Sequence, residues 1–295
     1  EAGLAVPPGV MANPNALRLH PRGGGHHVAT ETRAHVATPA VATSAMLSGI
    51  AYRLLQGDAR GQVTPAQVEE ALAPDVLYDV DVVDTLSLEN TFNAAGGTVM
   101  DPSQLRAIRA VTDRAGVPIH LDGARLFNAE AAAGVDATAW TSQVATVQFC
   151  LSKGLGAPIG SMLCGPADLL REGRRLKILF GGAWRQAGVL AAAGLLALEH
   201  GPGRLHEDHA RARRLAEGIA ERSPGSVDPA SVETNMVFVD TQGALGLGPL
   251  DVAARLADRG IGATVIGGRL RLVTHLDVDD ATVDLVLATW PEVVG

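Results

Sequence analysis

Apolar positions along this chain come in short dense runs, separated by stretches where they fall on one face only. V-P-I-H-L (117–121) and T-V-Q-F-C-L (146–151) read as strands buried on both sides, since little polar alternation interrupts them. Between them, only 124–140 has room for a long helix. Ahead of the first run, Asp101-Pro102-Ser103-Gln104 reads as a helix start, with aspartate at the cap, proline at the first position and glutamine at the third. Leu105, Ile108 and Val111 then mark that helix's buried face. Strands and helices alternate, which predicts an α/β fold with a mainly parallel sheet.

The pattern changes from Gly203 onward. A polar, Arg-rich helix (204–222) is followed by a strand at 236–240, a helix at 249–259, a strand at 269–274 and a last helix running to about Trp290. This predicts a large α/β domain over 1–202 and a smaller α+β domain over 203–295. The run G-V-L-A-A-A-G-L-L-A-L (188–198) is too short to cross a bilayer and predicts a buried core helix.

Composition narrows the function classes. The 295 residues are 47% hydrophobic and carry a net charge of −8, with no basic stripe. Nucleic acids and anionic membranes are therefore poor partners for it. The two cysteines, Cys150 and Cys164, sit in apolar surroundings and read as buried, reduced thiols of a cytoplasmic protein. His20 and the His26-His27 pair after Gly23-Gly24-Gly25 find no second cluster at zinc-like spacing, so a flexible loop is expected there and no metal. Asp277, Asp279 and Asp280 lack the EF-hand pattern and read as charges at a helix start.

The candidate chemistry lies at the ends of the two apolar runs. One delivers Asp122, in I-H-L-D-G-A-R (119–125), and the other delivers Lys153, in L-S-K-G-L-G-A-P-I-G (151–160). A glycine-flanked lysine is more often a solvated surface group, and an aspartate before glycine serves equally well as a turn residue. The lysine segment is no P-loop, because serine precedes it and glycine follows. It is no dinucleotide fingerprint either, since Pro158 falls where a helix would open. An amine and a carboxylate, both at strand ends, do suit pyridoxal phosphate (PLP), which needs a Schiff-base lysine and an anion beside its ring nitrogen.

Both segments resemble the signature stretches of the low-specificity L-threonine aldolases, PLP enzymes of fold type I. The likeness continues through E-N-T-F-N-A-A-G-G (89–97), G-G-A-W-R-Q-A-G-V-L (181–190), E-D-H-A-R-A-R-R-L-A (207–216), E-T-N-M-V (233–237) and R-L-V-T-H-L-D-V (271–278). The resemblance implies aldol cleavage of a β-hydroxy-α-amino acid to glycine and an aldehyde, in a homodimer or homotetramer. It implies Lys153 as the Schiff-base residue, Asp122 as the partner of the ring nitrogen and Ser152 as a phosphate ligand. It further implies Arg125 and Arg271 as the substrate-carboxylate pair, and His35 as the imidazole stacked on the ring near the substrate hydroxyl. Another PLP reaction, such as β-elimination or racemisation, and a non-catalytic relative remain open alternatives.

The chain departs from the family at three places. Pro8-Gly9-Val10 replaces a phosphate-cradling S-G-T, leaving the amides of Gly9 and Val10 as expected phosphate donors. Phe92 stands where the family has a second active-site histidine, which makes it an expected wall of the substrate pocket. The first residues resemble an internal segment of the family, so its N-terminal arm is expected to be missing.

Overall fold

The computed structural model describes residues 1–20, 26–73 and 82–295. Gly23, Gly24 and Gly25, expected in a flexible loop, lie outside them. Seven strands of the described residues form the main sheet: β1 (Ala2–Val6), β2 (His27–Glu31), β3 (Ala51–Leu55), β4 (Thr85–Glu89), β5 (Ile119–Asp122), β6 (Thr146–Cys150) and β7 (Ser161–Gly165). Their order is β1-β7-β6-β5-β4-β2-β3. From β6 through β3 every neighbouring pair is parallel, while β7 runs antiparallel to both β6 and β1. The chain between β6 and β7 is thus a hairpin loop, and it carries Lys153.

Among the described residues seven α-helices accompany this sheet, α1 (Gly9–Arg18), α2 (Val41–Ser48), α3 (Pro65–Leu72), α4 (Pro102–Ala115), α5 (Leu126–Ala133), α6 (Thr138–Thr141) and α7 (Ala167–Leu179). The space expected to hold one long helix is split, because α5 stops at Gly134 in the left-handed region (φ 65°), four residues before α6 begins. Asp101 caps α4 by accepting the Ser103 amide at 2.6 Å. Gln104 closes no capping box; its amide group instead donates to the Val63 carbonyl at 2.8 Å. The main core gathers Leu86, Leu105, Ile108, Ile119, Leu121 and Trp140, and the indole N–H of Trp140 is satisfied by the Met100 carbonyl.

α8 (Gly188–His200) leads to the remaining elements, α9 (Leu205–Arg222), β8 (Met236–Val239), α10 (Thr241–Leu245), α11 (Pro249–Ala257), β9 (Thr264–Ile266), β10 (Arg269–Val273) and α12 (Asp280–Val294). β8, β10 and β9 make a second sheet, antiparallel throughout. It has its own core, with Leu215, Ile219, Val237, Leu270 and Trp290 among the buried residues. Asp279 caps α12 by accepting the Thr282 amide, the helix-start role read from the aspartate cluster.

α8 corrects one expectation. It is not a core helix: Val189 is 76% exposed, Leu195 68% and Leu196 58%, while only Gly194 and Ala197 are buried. The helix is apolar on every side, and such a sequence states that its faces need cover without stating what covers them. Cys164 also differs from expectation in being half-buried; both cysteines are free. Among the described residues no helix is long and apolar enough to cross a membrane, and no group of His, Cys, Asp and Glu is arranged to hold a metal.

Candidate active site

The carboxyl ends of the parallel strands open onto a cavity of about 710 Å³. Lys153, Asp122, His35, Ser152, Arg125 and Arg271 all reach its wall, as do Gly9 and Val10 at the start of α1. Eight of the nine residues singled out from the sequence therefore meet in one place, although more than two hundred positions separate the first from the last.

Asp122 ends β5 and is buried. Its Oδ2 accepts from the Asn13 amide group at 2.6 Å, and its Oδ1 accepts from the Ala124 N–H at 3.1 Å and from the side chain of Gln148. Three donors converging on two oxygens is the arrangement an acceptor-only carboxylate asks for. Lys153 follows β6 in a turn whose tightness depends on its glycines. A Cβ on Gly154 would come within 2.8 Å of Leu205, and Gly156 adopts a φ of +83°. The lysine closes no ion pair among the described residues, so its amine faces the cavity uncommitted.

Glu89 was missed in the sequence and lines the same cavity. It ends β4 just as Asp122 ends β5, and T-L-S-L-E before it repeats the apolar run closed by a carboxylate; that repetition was the available signal. The side chain is buried and accepts the amides of His35 at 2.7 Å and Asn93 at 2.8 Å. Burial, and next the charge of Asp122, push its carboxyl up to about 7. His35 sits opposite with its Nδ1 buried and unpartnered. Burial lowers the basicity of this imidazole; nearby Asp122 opposes that, and Lys153 and Arg125 reinforce it.

Arg125 and Arg271 converge on another residue the sequence reading did not single out. The Asn93 side-chain oxygen accepts from Arg271 Nη1 at 2.8 Å and lies 3.5 Å from Arg125 Nη1. Neither guanidinium pairs with a carboxylate among the described residues. Burial lowers the pKa of both, and for Arg125 the facing Arg271 lowers it further. Two like charges held together by one neutral acceptor make a receptor for a carboxylate.

α1 begins without a side-chain cap, and behind it Met11 N–H already bonds the Pro8 carbonyl. The amides of Gly9 and Val10 remain for an anion at this helix start, with Ser152 also on the wall. Gly9 lets the helix settle onto the sheet, because a Cβ there would stand 3.0 Å from Cys150 Sγ.

Phe92 is the residue that does not arrive. It lies outside the cavity wall, 1% exposed, in a cluster with Leu17, Val28, Val36 and Ile50. The Arg33 guanidinium covers one face of its ring, 5.6 Å from the centroid. Its backbone pairs with Thr98, and its side chain turns into the core instead of toward the cavity. Phe92→Ala is expected to cost about 3–5 kcal/mol of stability and to leave any preference between threo and erythro substrates unchanged. Urea denaturation and parallel assays on both diastereomers check the two halves separately.

One buried and two half-buried histidines set how the unliganded protein responds to acid. Burial holds His20, His120 and His209 each down to about 4. Unfolding frees each of them to take up a proton below its ordinary 6.5, so their contribution to stability is lost as pH falls from about 6.5 toward 4. Glu89 acts with the opposite sign, since its raised pKa favours the folded state as pH falls from about 7 toward 4.5. Three protons outweigh one. The urea midpoint should therefore be lower at pH 5 than at pH 7, and a flat profile would show these imidazoles to be solvated.

Comparison with known proteins accords with this geometry. Residues 1–242 match the β-eliminating lyase family. A low specificity L-threonine aldolase of Escherichia coli is 35% identical over 294 residues, covering 98% of this chain and 84% of that protein. Low-specificity L-threonine aldolase 1 of Arabidopsis thaliana is 31% identical, covering 99% and 82%. The solved threonine aldolase of Leishmania major superposes with a TM-score of 0.80 at 18% identity, over 100% of this chain and 84% of that one, and shares the fold. With family match, curated relatives and strand-end cavity in agreement, this chain belongs to the low-specificity L-threonine aldolase family of β-eliminating lyases.

Proposed function

We propose that this chain binds pyridoxal phosphate in the strand-end cavity and cleaves the Cα–Cβ bond of a β-hydroxy-α-amino acid, threonine or allo-threonine, to glycine and acetaldehyde. The observation that carries the reading is the joint arrival of Lys153, Asp122 and the Arg125–Arg271 pair at one cavity. The residues fit the cofactor. Lys153 supplies an uncommitted amine for its aldehyde carbon, Asp122 an anion for its ring nitrogen, and Gly9, Val10 and Ser152 the donors for its phosphate. When bound, PLP supplies an electron sink for the pair released by the broken bond.

The protein's own groups do the rest. Arg125 and Arg271 would grip the substrate carboxylate and so orient the bonds at its Cα. His35 is neutral at pH 7, because burial lowers its pKa, and it takes the β-hydroxyl proton as the aldehyde leaves. Glu89, hydrogen-bonded to the backbone of His35, stands ready to hold or release a proton near neutrality. Pro8 and Val10 supply no hydroxyl to the phosphate, so the cofactor is held less tightly here than an S-G-T cradle would hold it. The purified protein is expected to gain absorbance when PLP is added.

The exposed apolar faces belong to the same reading. Met46 and Leu47 on α2, with Val189, Leu195 and Leu196 on α8, present large apolar side chains to solvent, the kind of surface that marks an interaction site. A second copy of the chain covers them, in a homodimer or a larger homo-oligomer. Two free thiols support a reducing, cytoplasmic setting for the assembly. The deciding experiment combines a PLP titration followed in the visible range with product analysis on L-threonine and L-allo-threonine. Glycine with acetaldehyde supports the reading. A 2-oxo acid with ammonia would replace it with β-elimination, and no spectral change with PLP would end it.

A further inference from the structure

The face of the sheet beneath α1 is polar where a helix–sheet contact is ordinarily apolar. His120 and Asp122 alternate onto this face of β5, and Thr146 and Gln148 onto the same face of β6, with His120 and Thr146 cross-strand neighbours. Asn13 reaches down from the second turn of α1, and His20 follows that helix. Asn13, His120 and Thr146 are buried to within 1% of fully, the condition under which an unpaired polar atom is most costly. Here each one is paired. Asn13 Nδ2 lies 2.6 Å from Asp122 Oδ2, and Asn13 Oδ1 lies 3.0 Å from His120 Nε2. His120 Nδ1 lies 2.9 Å from Thr146 Oγ1, which lies 3.0 Å from His20 Nε2.

The direction of this chain follows from its end. An ionised carboxylate only accepts, so Asn13 must turn its NH₂ toward Asp122 and its oxygen toward His120. His120 must then carry its proton on Nε2. Because burial keeps this imidazole neutral, its Nδ1 is a bare acceptor for the Thr146 hydroxyl. The Thr146 oxygen is left to accept from His20. Every donor along the chain points toward Asp122, and successive bonds of one direction polarise each other.

We propose that His20, Thr146, His120 and Asn13 form a directional hydrogen-bond chain that positions Asp122 and holds it as an anion against the cofactor's ring nitrogen. The proposal rests on the PLP reading above and adds the residues that fix the carboxylate's orientation. None of them lines the path of the substrate except Asn13, at the cavity floor. They are positioning residues, acting through Asp122.

Thr146→Val tests this, because it keeps the shape of the side chain and removes the hydroxyl that donates to His120 Nδ1 and accepts from His20, which cuts the chain. The probe is holoenzyme reconstituted with PLP carrying an isotopically labelled pyridine nitrogen. Its nitrogen chemical shift reports directly whether the ring nitrogen is protonated. In Thr146→Val the signal should move toward the unprotonated ring, and kcat on L-threonine should fall roughly tenfold, the scale seen when groups that orient a reactive side chain are lost. KM should stay within about twofold, since Arg125 and Arg271 are untouched. Thr146→Ser restores the hydroxyl and should restore signal and kcat together.

Two results overturn the proposal and are distinguishable. If the wild-type protein takes up no PLP, the proposed function fails and this inference falls with it. If the wild type shows a protonated ring and Thr146→Val shows the same shift and the same kcat, then only the positioning role is lost. A lowered melting temperature in the valine variant without a change in the nitrogen signal has the same meaning, and makes the chain a core feature alone.

Discussion

Replacing Lys153 with alanine should reduce aldol cleavage by roughly a thousandfold or more, the scale associated with losing a covalent catalytic group, and leave the fold intact. The side chain is half-exposed, makes no ion pair among the described residues and belongs to no core cluster. Its removal should therefore change stability by less than about 0.5 kcal/mol. Lys153→Arg should fail equally, since a guanidinium keeps its proton and offers no nucleophilic nitrogen. The measurements are single-turnover assays with saturating PLP beside urea denaturation of each variant. Retained cleavage in the alanine variant would remove Lys153 from the mechanism.

Asp122→Asn should show the second largest effect, with a different signature. The substitution keeps the side-chain shape and removes the charge, and it turns one acceptor oxygen into a donor amide. That amide meets either Asn13 or Gln148, both of which already present NH₂ groups to it. Turnover should fall by roughly a hundredfold to ten-thousandfold, as for a lost charge that acts mainly in the transition state. Cofactor affinity should fall far less, because Lys153 and the α1 start still hold PLP. Equal losses in both would show that the carboxylate merely anchors the cofactor.

The sequence was most legible where chemistry ends a strand. Lys153 and Asp122 each follow a short apolar run, and such a run can only be a buried strand pointing its next residue at the sheet's edge. The helix at 102–115 was likewise written in its cap and its apolar spacing. Glu89 carried the same strand-end signal and was overlooked, because E-N-T-F-N drew attention to Phe92 instead. The phenylalanine was misplaced because family position fixes where the backbone runs, whereas the ring itself turns into the core. Asn13, His120 and Thr146 could not be read at all. A polar residue on the inner face of a helix looks like an ordinary surface residue until its partner, more than a hundred positions away, is in place. α8 failed for the opposite reason, since a helix that is apolar on every side looks the same whether its own fold or another copy covers it.

The reversal of β7 has a consequence for how the lysine moves. In most strand-to-helix connections a catalytic loop is tethered at one end to the sheet and at the other to a mobile helix. Here both ends of the loop belong to one antiparallel ladder, and the Leu151 amide donates across its mouth to the Gly160 carbonyl at 2.9 Å while Ala157 donates back to Leu151 at 3.0 Å. Deuterium should therefore enter at the amides of 151 and 157 about as slowly as at the strand amides of β6, because local opening would have to break the ladder. A single inserted residue would slide Ser161 past Cys150 and turn one side of the hairpin over. The backbone that carries the amine is thus as firmly held as the sheet itself, which leaves the four-carbon lysine side chain as the part free to move.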